Sequence, residues 1–129
     1  MIYTMEEVDD LAQERRRSVK MDYYRKALLA DGLDLDTVES FITYHEANPQ
    51  IWHYFKHFAF QAIDKGKKVG AKGIFERLRW QVEIESNGEW KVNNNFTAYY
   101  ARIFALRYPA HKDFFELRKV TGLKEKAAA

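Results

Sequence analysis

Residues 70–80, GAKGIFERLRW, run directly into residues 81–96, QVEIESNGEWKVNNNF, and the fold turns on how that junction is read. From Ala71 to about Trp80 the spacing of Ile74, Phe75 and Leu78 predicts a short helix with Lys72, Arg77 and Arg79 facing outward. From Gln81 the apolar residues alternate instead: Val82, Ile84 and, across Asn87-Gly88, Trp90 and Val92. Asn-Gly flanked by alternation is a strong hairpin signal, because the tight turn needs positive φ at its centre. A two-stranded ribbon over residues 81–92 is therefore predicted. Leu78, Val82 and Glu85 also keep helical spacing, so a helix continuing through Glu85 is the competing reading.

Upstream, Thr4 with Glu7 three residues on forms a capping box that opens a long charged helix, ending near Ala30 at the Asp31-Gly32 stop. Its first half, EEVDDLAQERRRSVK, holds few large apolar residues. That half is expected to project from the domain or to meet another chain, a homodimer through this helix included. Asp36 is the expected N-cap of a second helix, TVESFITYHEAN, with Val38, Phe41, Ile42 and His45 on one side. Asn48-Pro49 breaks the chain and starts a third. In IWHYFKHFAFQAIDKGKK, Ile51, Trp52, Phe55, Phe58, Ala59, Ala62 and Ile63 make one wide apolar face. This is the expected central helix, with Phe55, Phe58 and Ile63 buried. Gly66 and Gly70 bracket a turn, KKV, that also suits a very short strand.

Downstream, Asn93, Asn94 and Asn95 supply N-caps for a fifth helix, FTAYYARIFALRY, ended by Pro109. HKDFFELRKV reads as a last helical turn followed by a strand. The expected organisation is a charged helix over 1–30, a helical domain with a β-hairpin over 31–120, and a frayed tail over 121–129. The fold class expected is mainly α: a compact, winged-helix-like domain of about five helices with one small β-hairpin.

Composition narrows the function classes. With 129 residues, nine Phe, eight Tyr and three Trp, the chain has enough apolar material for one well-filled core. It contains no Cys, which excludes disulfides and thiolate metal sites and suits a reducing compartment. The N-terminus carries acids where a signal peptide needs a basic start and an apolar run, and nothing approaches a membrane span. A cytoplasmic protein with no membrane partner is expected. The net charge of +2 hides an asymmetry: residues 1–60 carry −4 and residues 61–119 carry +5. That polarity suggests a basic working half, although charge runs are also ordinary solvated faces.

Helix pair plus ribbon in a basic half is the plan of winged-helix DNA binders. If the fourth helix reads the groove, Lys72, Arg77 and Arg79 meet phosphates or guanines. If the fifth does, Asn94 and Asn95 offer amides to adenine edges, with Tyr99, Arg102 and Arg107 in support. Taken singly, these asparagines are better read as helix caps and these arginines as solvating side chains. Double-stranded DNA is the partner the joint pattern favours.

Other chemistry is weakly signalled. His53 and His57 lie one helical turn apart, as metal-binding pairs do, with His45 or Glu46 as a third ligand. HEANPQIWH does not match the metalloprotease motif, and the surrounding aromatics suit packing better, so no metal is expected. Glu89-Trp90-Lys91 opposite Glu83 or Glu85 has the Glu-x-Lys end of a nuclease site without the sheet that carries one. No phosphate-binding glycine loop, Ser/His/Asp set or Cys nucleophile occurs. No enzyme activity and no cofactor are expected.

The succession FITYHEANPQIWHYFKHF, GAKGIFERLRW, KVNNNFTAYYARIFALRYP and FFELRKV resembles a family of small uncharacterised proteins from bacteriophages and bacteria, over about Phe41 to Val120. Its most specific parts are Asn48-Pro49, Arg79-Trp80, the asparagine triplet with Tyr100-Ala101-Arg102, and Phe115 with Arg118. The resemblance implies a phage or prophage setting, hence a host bacterial cytoplasm, and no particular reaction. In that setting the alternative to DNA binding is an interaction module that binds or inhibits a host protein.

Overall fold

The computed structural model describes residues 4–85 and 92–117. Among the described residues there are five α-helices: α1 (Met5–Ala30), α2 (Leu35–Ala47), α3 (Pro49–Asp64), α4 (Ala71–Trp80) and α5 (Thr97–Arg107). A π-helical turn, Gln81–Glu85, continues α4, and 3-10 turns at Asn94–Phe96 and Pro109–His111 precede and follow α5. The chain forms two compact units, one ending at Ile42 and one beginning at Thr43.

In the first unit the capping box forms as its residue types require. The Glu7 N–H donates to Thr4 Oγ1 and the Thr4 N–H to Glu7 Oε2, each at 3.1 Å. At the other end Gly32 takes φ +93°, and the Leu33 N–H reaches the Leu28 carbonyl at 3.2 Å, closing a Schellman-type stop. Met21, Tyr24 and Leu28 on α1 are buried, as are Leu33, Val38, Phe41 and Ile42. Arg25 links the elements, donating to Glu39 on α2 and Asp22 on α1. The residue that caps α2 is Asp34, not Asp36: its Oδ2 accepts from both the Thr37 N–H (3.1 Å) and hydroxyl (3.2 Å). An Asp three residues before a Thr satisfies an orphan N–H of the first turn, whereas Asp36 already lies inside the helix.

The second unit is an aromatic core built around α3. Phe55 is fully buried, with ring centroids of Trp52, Phe75, Tyr100, Phe104 and Phe115 between 5.3 and 6.2 Å away. Those rings come from α3, α4, α5 and the segment after it, so one residue organises the packing of all of them. Phe58 is buried too. Ile63, expected inside, is only half-buried and lines a surface groove near the end of α3. Asn48 does not cap α3 through its side chain, which donates instead to the Tyr44 carbonyl at 2.9 Å and so closes the end of α2.

The predicted hairpin is overturned. Gln81–Glu85 is helical, and no strand occurs among the described residues, at KKV or elsewhere. Continuing the helix keeps Val82 one turn beyond Leu78 on the buried face, while Ile84, which alternation would place beside Val82, is exposed. The Arg79–Glu83 ion pair at 3.0 Å spans the junction at helical spacing. Mainly α therefore stands, and the winged-helix-like architecture does not. Asn87-Gly88, Trp90, Lys91 and the strand expected at the end of the domain lie outside the described residues.

Candidate nucleic-acid interface

A group of exposed lysines lies where α3 turns into α4. The turn is dictated by Gly66, whose φ of +67° suits glycine, with the Gly66 N–H on the Ile63 carbonyl (2.9 Å) and the Lys67 N–H on the Ala62 carbonyl (3.0 Å). Closing α3 this way leaves Lys65, Lys67 and Lys68 exposed in succession. Lys68 Nζ donates to the Asp113 carbonyl at 3.1 Å. Gly70 is extended and starts α4, accepting from the Ile74 N–H at 3.1 Å. At Gly73 a Cβ would stand 2.9 Å from Val69 Cγ1, so glycine lets the turn lie close against the helix.

Between the two helices is a groove of about 380 Å³ with a floor of Phe58, Ala62, Val69 and Ile74. Lys65, Lys67 and Arg77 stand round it with Gln61, and among the described residues no carboxylate lines it. Arg77 is held with its guanidinium carbon 4.5 Å from the centroid of the Phe58 ring, a cation–π contact that fixes the charge at the rim.

The sequence-predicted residues of α4 do not share one face. At 100° per residue, Lys72 and Arg79 project from nearly the same side of α4, whereas Arg77 lies about 140° round from Lys72. Glu76 and the exposed Trp80 occupy the outward middle between them. Arg79 is additionally committed to Glu83. Ahead of α5, Asn94 and Asn95 are exposed, but the cap is Asn93, whose Oδ1 accepts from the Asn95 N–H at 3.0 Å. Asn94 contributes its carbonyl to the Thr97 hydroxyl at 2.8 Å. Tyr99 is buried edge-on against Phe96, and Arg102 is half-buried. Lys65, Lys67 and Lys68 are not among the sequence-predicted contacts; the KGKK run is the local signal that points to them.

A second polar feature lies inside the core. His45 Nδ1 and the Tyr100 hydroxyl are 3.3 Å apart and share a hydrogen bond, both residues being buried. Burial pushes the Tyr100 phenol far above its ordinary range. Burial also raises Tyr44, whose hydroxyl accepts from the Asn93 N–H at 3.1 Å, a bond that works in the opposite direction. His53 and His57 are exposed on α3 beside Lys56, Gln61 and Asp64. Among the described residues no three His, Asp or Glu side chains converge as a metal site, and no helix is long and apolar enough to cross a membrane.

No family model, curated protein or solved structure matches the chain.

Proposed function

We propose that the chain binds double-stranded DNA through phosphate contacts made at the lysine-rich turn between α3 and α4. The observation that carries this reading is the groove ringed by Lys65, Lys67 and Arg77 with no acid among its described lining residues. Lys68 and Lys72 are also exposed, in the same turn and at the start of α4. Cations grouped without compensating carboxylates attract a phosphate backbone and release its counterions, which supplies sequence-independent affinity. Arg79, offset by Glu83, contributes less. The contacts proposed are to phosphate, so the binding expected is sequence-independent. The setting that suits this role is the one the sequence resemblance implies, a phage- or prophage-borne protein in a bacterial cytoplasm.

The test is fluorescence anisotropy of a labelled random duplex over a salt series. Replacing Lys65, Lys67 and Arg77 together by Gln removes three phosphate contacts, so the slope of log K against log salt should flatten by about 2.7. Across a fourfold rise in salt, the native chain would then lose roughly 40-fold more affinity than the variant does. Arg79→Gln should change the slope by less than one contact's worth. Absence of salt-dependent binding at low ionic strength, or an unchanged slope in the triple variant, would refute the reading.

A further inference from the structure

From the first half of α1 we infer an interface between two antiparallel copies of this chain. None of residues 5–20 is buried, yet the helix runs unbroken through them. A solvated helix of this length is marginal in water, so its persistence calls for a partner surface. The helix supplies one. Met5, Val8, Leu11, Val19 and Tyr23 are all exposed, Met5 by 79% and Val19 by 63%. At 100° per residue they form a stripe about 180° round from Met21, Tyr24 and Leu28, the side chains that α1 buries within its own unit. Met5, Ala12 and Val19 recur every seven residues with Val8 three after Met5, the a and d spacing of a coiled-coil seam.

The charges select the occupant and its direction. Residues 5–14 carry five acids and no base, and residues 15–20 carry four bases and no acid. A parallel pair would set acid on acid and base on base. An antiparallel pair lays Glu6, Glu7, Asp9 and Asp10 of each copy along Arg15, Arg16, Arg17 and Lys20 of the other. In the register that layers Val8 on Val19 of the second copy, Asp9 flanks the seam next to Arg16 of that copy, and two-fold symmetry repeats the contact. Arg15 falls opposite the small Ala12, where its stem covers the seam and its head reaches water. A second copy is thus complementary to α1 in both shape and charge.

The chain has no cysteine, so single introduced ones report cleanly. Under mild oxidation, Val8→Cys mixed with Val19→Cys should give a cross-linked dimer, and either variant alone should not. Asp9→Arg should weaken self-association at least tenfold in sedimentation equilibrium, and the exchange Asp9→Arg with Arg16→Asp should restore it. Both valines are exposed, so helical content should be unchanged. Efficient cross-linking of Val8→Cys to itself would overturn the antiparallel arrangement. A mass that stays at 15.3 kDa through the high micromolar range would overturn the dimer and return this face to the host-protein reading.

Discussion

Replacing Tyr100 by Phe should destabilise the protein at neutral pH and cease to do so in alkali. The substitution keeps the ring that contacts Trp52, Phe55 and Phe75 and removes only the hydroxyl bonded to His45. A net loss of about 0.5–1.5 kcal/mol at pH 7 is expected for one such bond. Above pH 10 the unfolded native chain gains free energy by ionising this phenol, while burial keeps the folded one protonated. With an unfolded pKa near 10, that gain reaches about 1.4 kcal/mol at pH 11, and the variant escapes it. The raised pKa thus leaves stability intact below about pH 10 and erodes it as pH climbs toward the folded value. Tyr44 titrates in both proteins, and its contribution cancels in the difference. Urea titrations followed by circular dichroism at pH 7, 9, 10 and 11 should show the gap between the two proteins closing near pH 11. A gap that stays constant from pH 8 to 11 would mean that Tyr100 ionises as easily folded as unfolded, and the buried-phenol argument would fail.

Two further outcomes bear on the fold. Phe55→Ala empties the centre of five ring contacts and should cost about 3–5 kcal/mol, a fall in melting temperature of roughly 10 °C or more; an unchanged melting temperature would place the core elsewhere. Gly66 has nothing within 4 Å of where a Cβ would stand, so its constraint is the backbone alone. Gly66→Val should therefore lose about 1–2 kcal/mol and Gly66→Asn less, since Asn tolerates positive φ; equal losses from the two would argue against the positive φ.

Helix starts and central packing were largely legible from local chemistry. Thr4 with Glu7, and Pro49 at the head of α3, act on the backbone within a few residues, so their signals carry through to the structure. The wide apolar face of α3 also survived, apart from Ile63 at its end. What failed had two local solutions. Val82 and Ile84 satisfy alternation, but Val82 equally extends the Leu78 face, and burial of that face decided for the helix. Asp34 and Asp36 are both cap residues by type; the position of Thr37 selects the first. Tyr99 illustrates a different difficulty. An aromatic on a basic helix is a contact or a core residue according to which way the helix is rolled, and that roll is fixed by Tyr100 and Phe104 packing on Phe55. The groove required two helices to meet, and only the turn that joins them is written locally.

The π-helical turn at Gln81–Glu85 also has a meaning in terms of chain length. A π turn accommodates one residue more than an α turn, so the segment behaves as slack taken up inside a helix rather than as a break in it. Deleting one residue there would let α4 run on as a regular helix with Leu78 and Val82 still inward. Because the extra residue is absorbed in the widened turn, the shortened helix would reach the end of the segment in nearly the same phase. The wide turn is therefore a way of holding phase: it adds one residue without rolling the end of the segment at Glu85 away from the face that buries Leu78 and Val82.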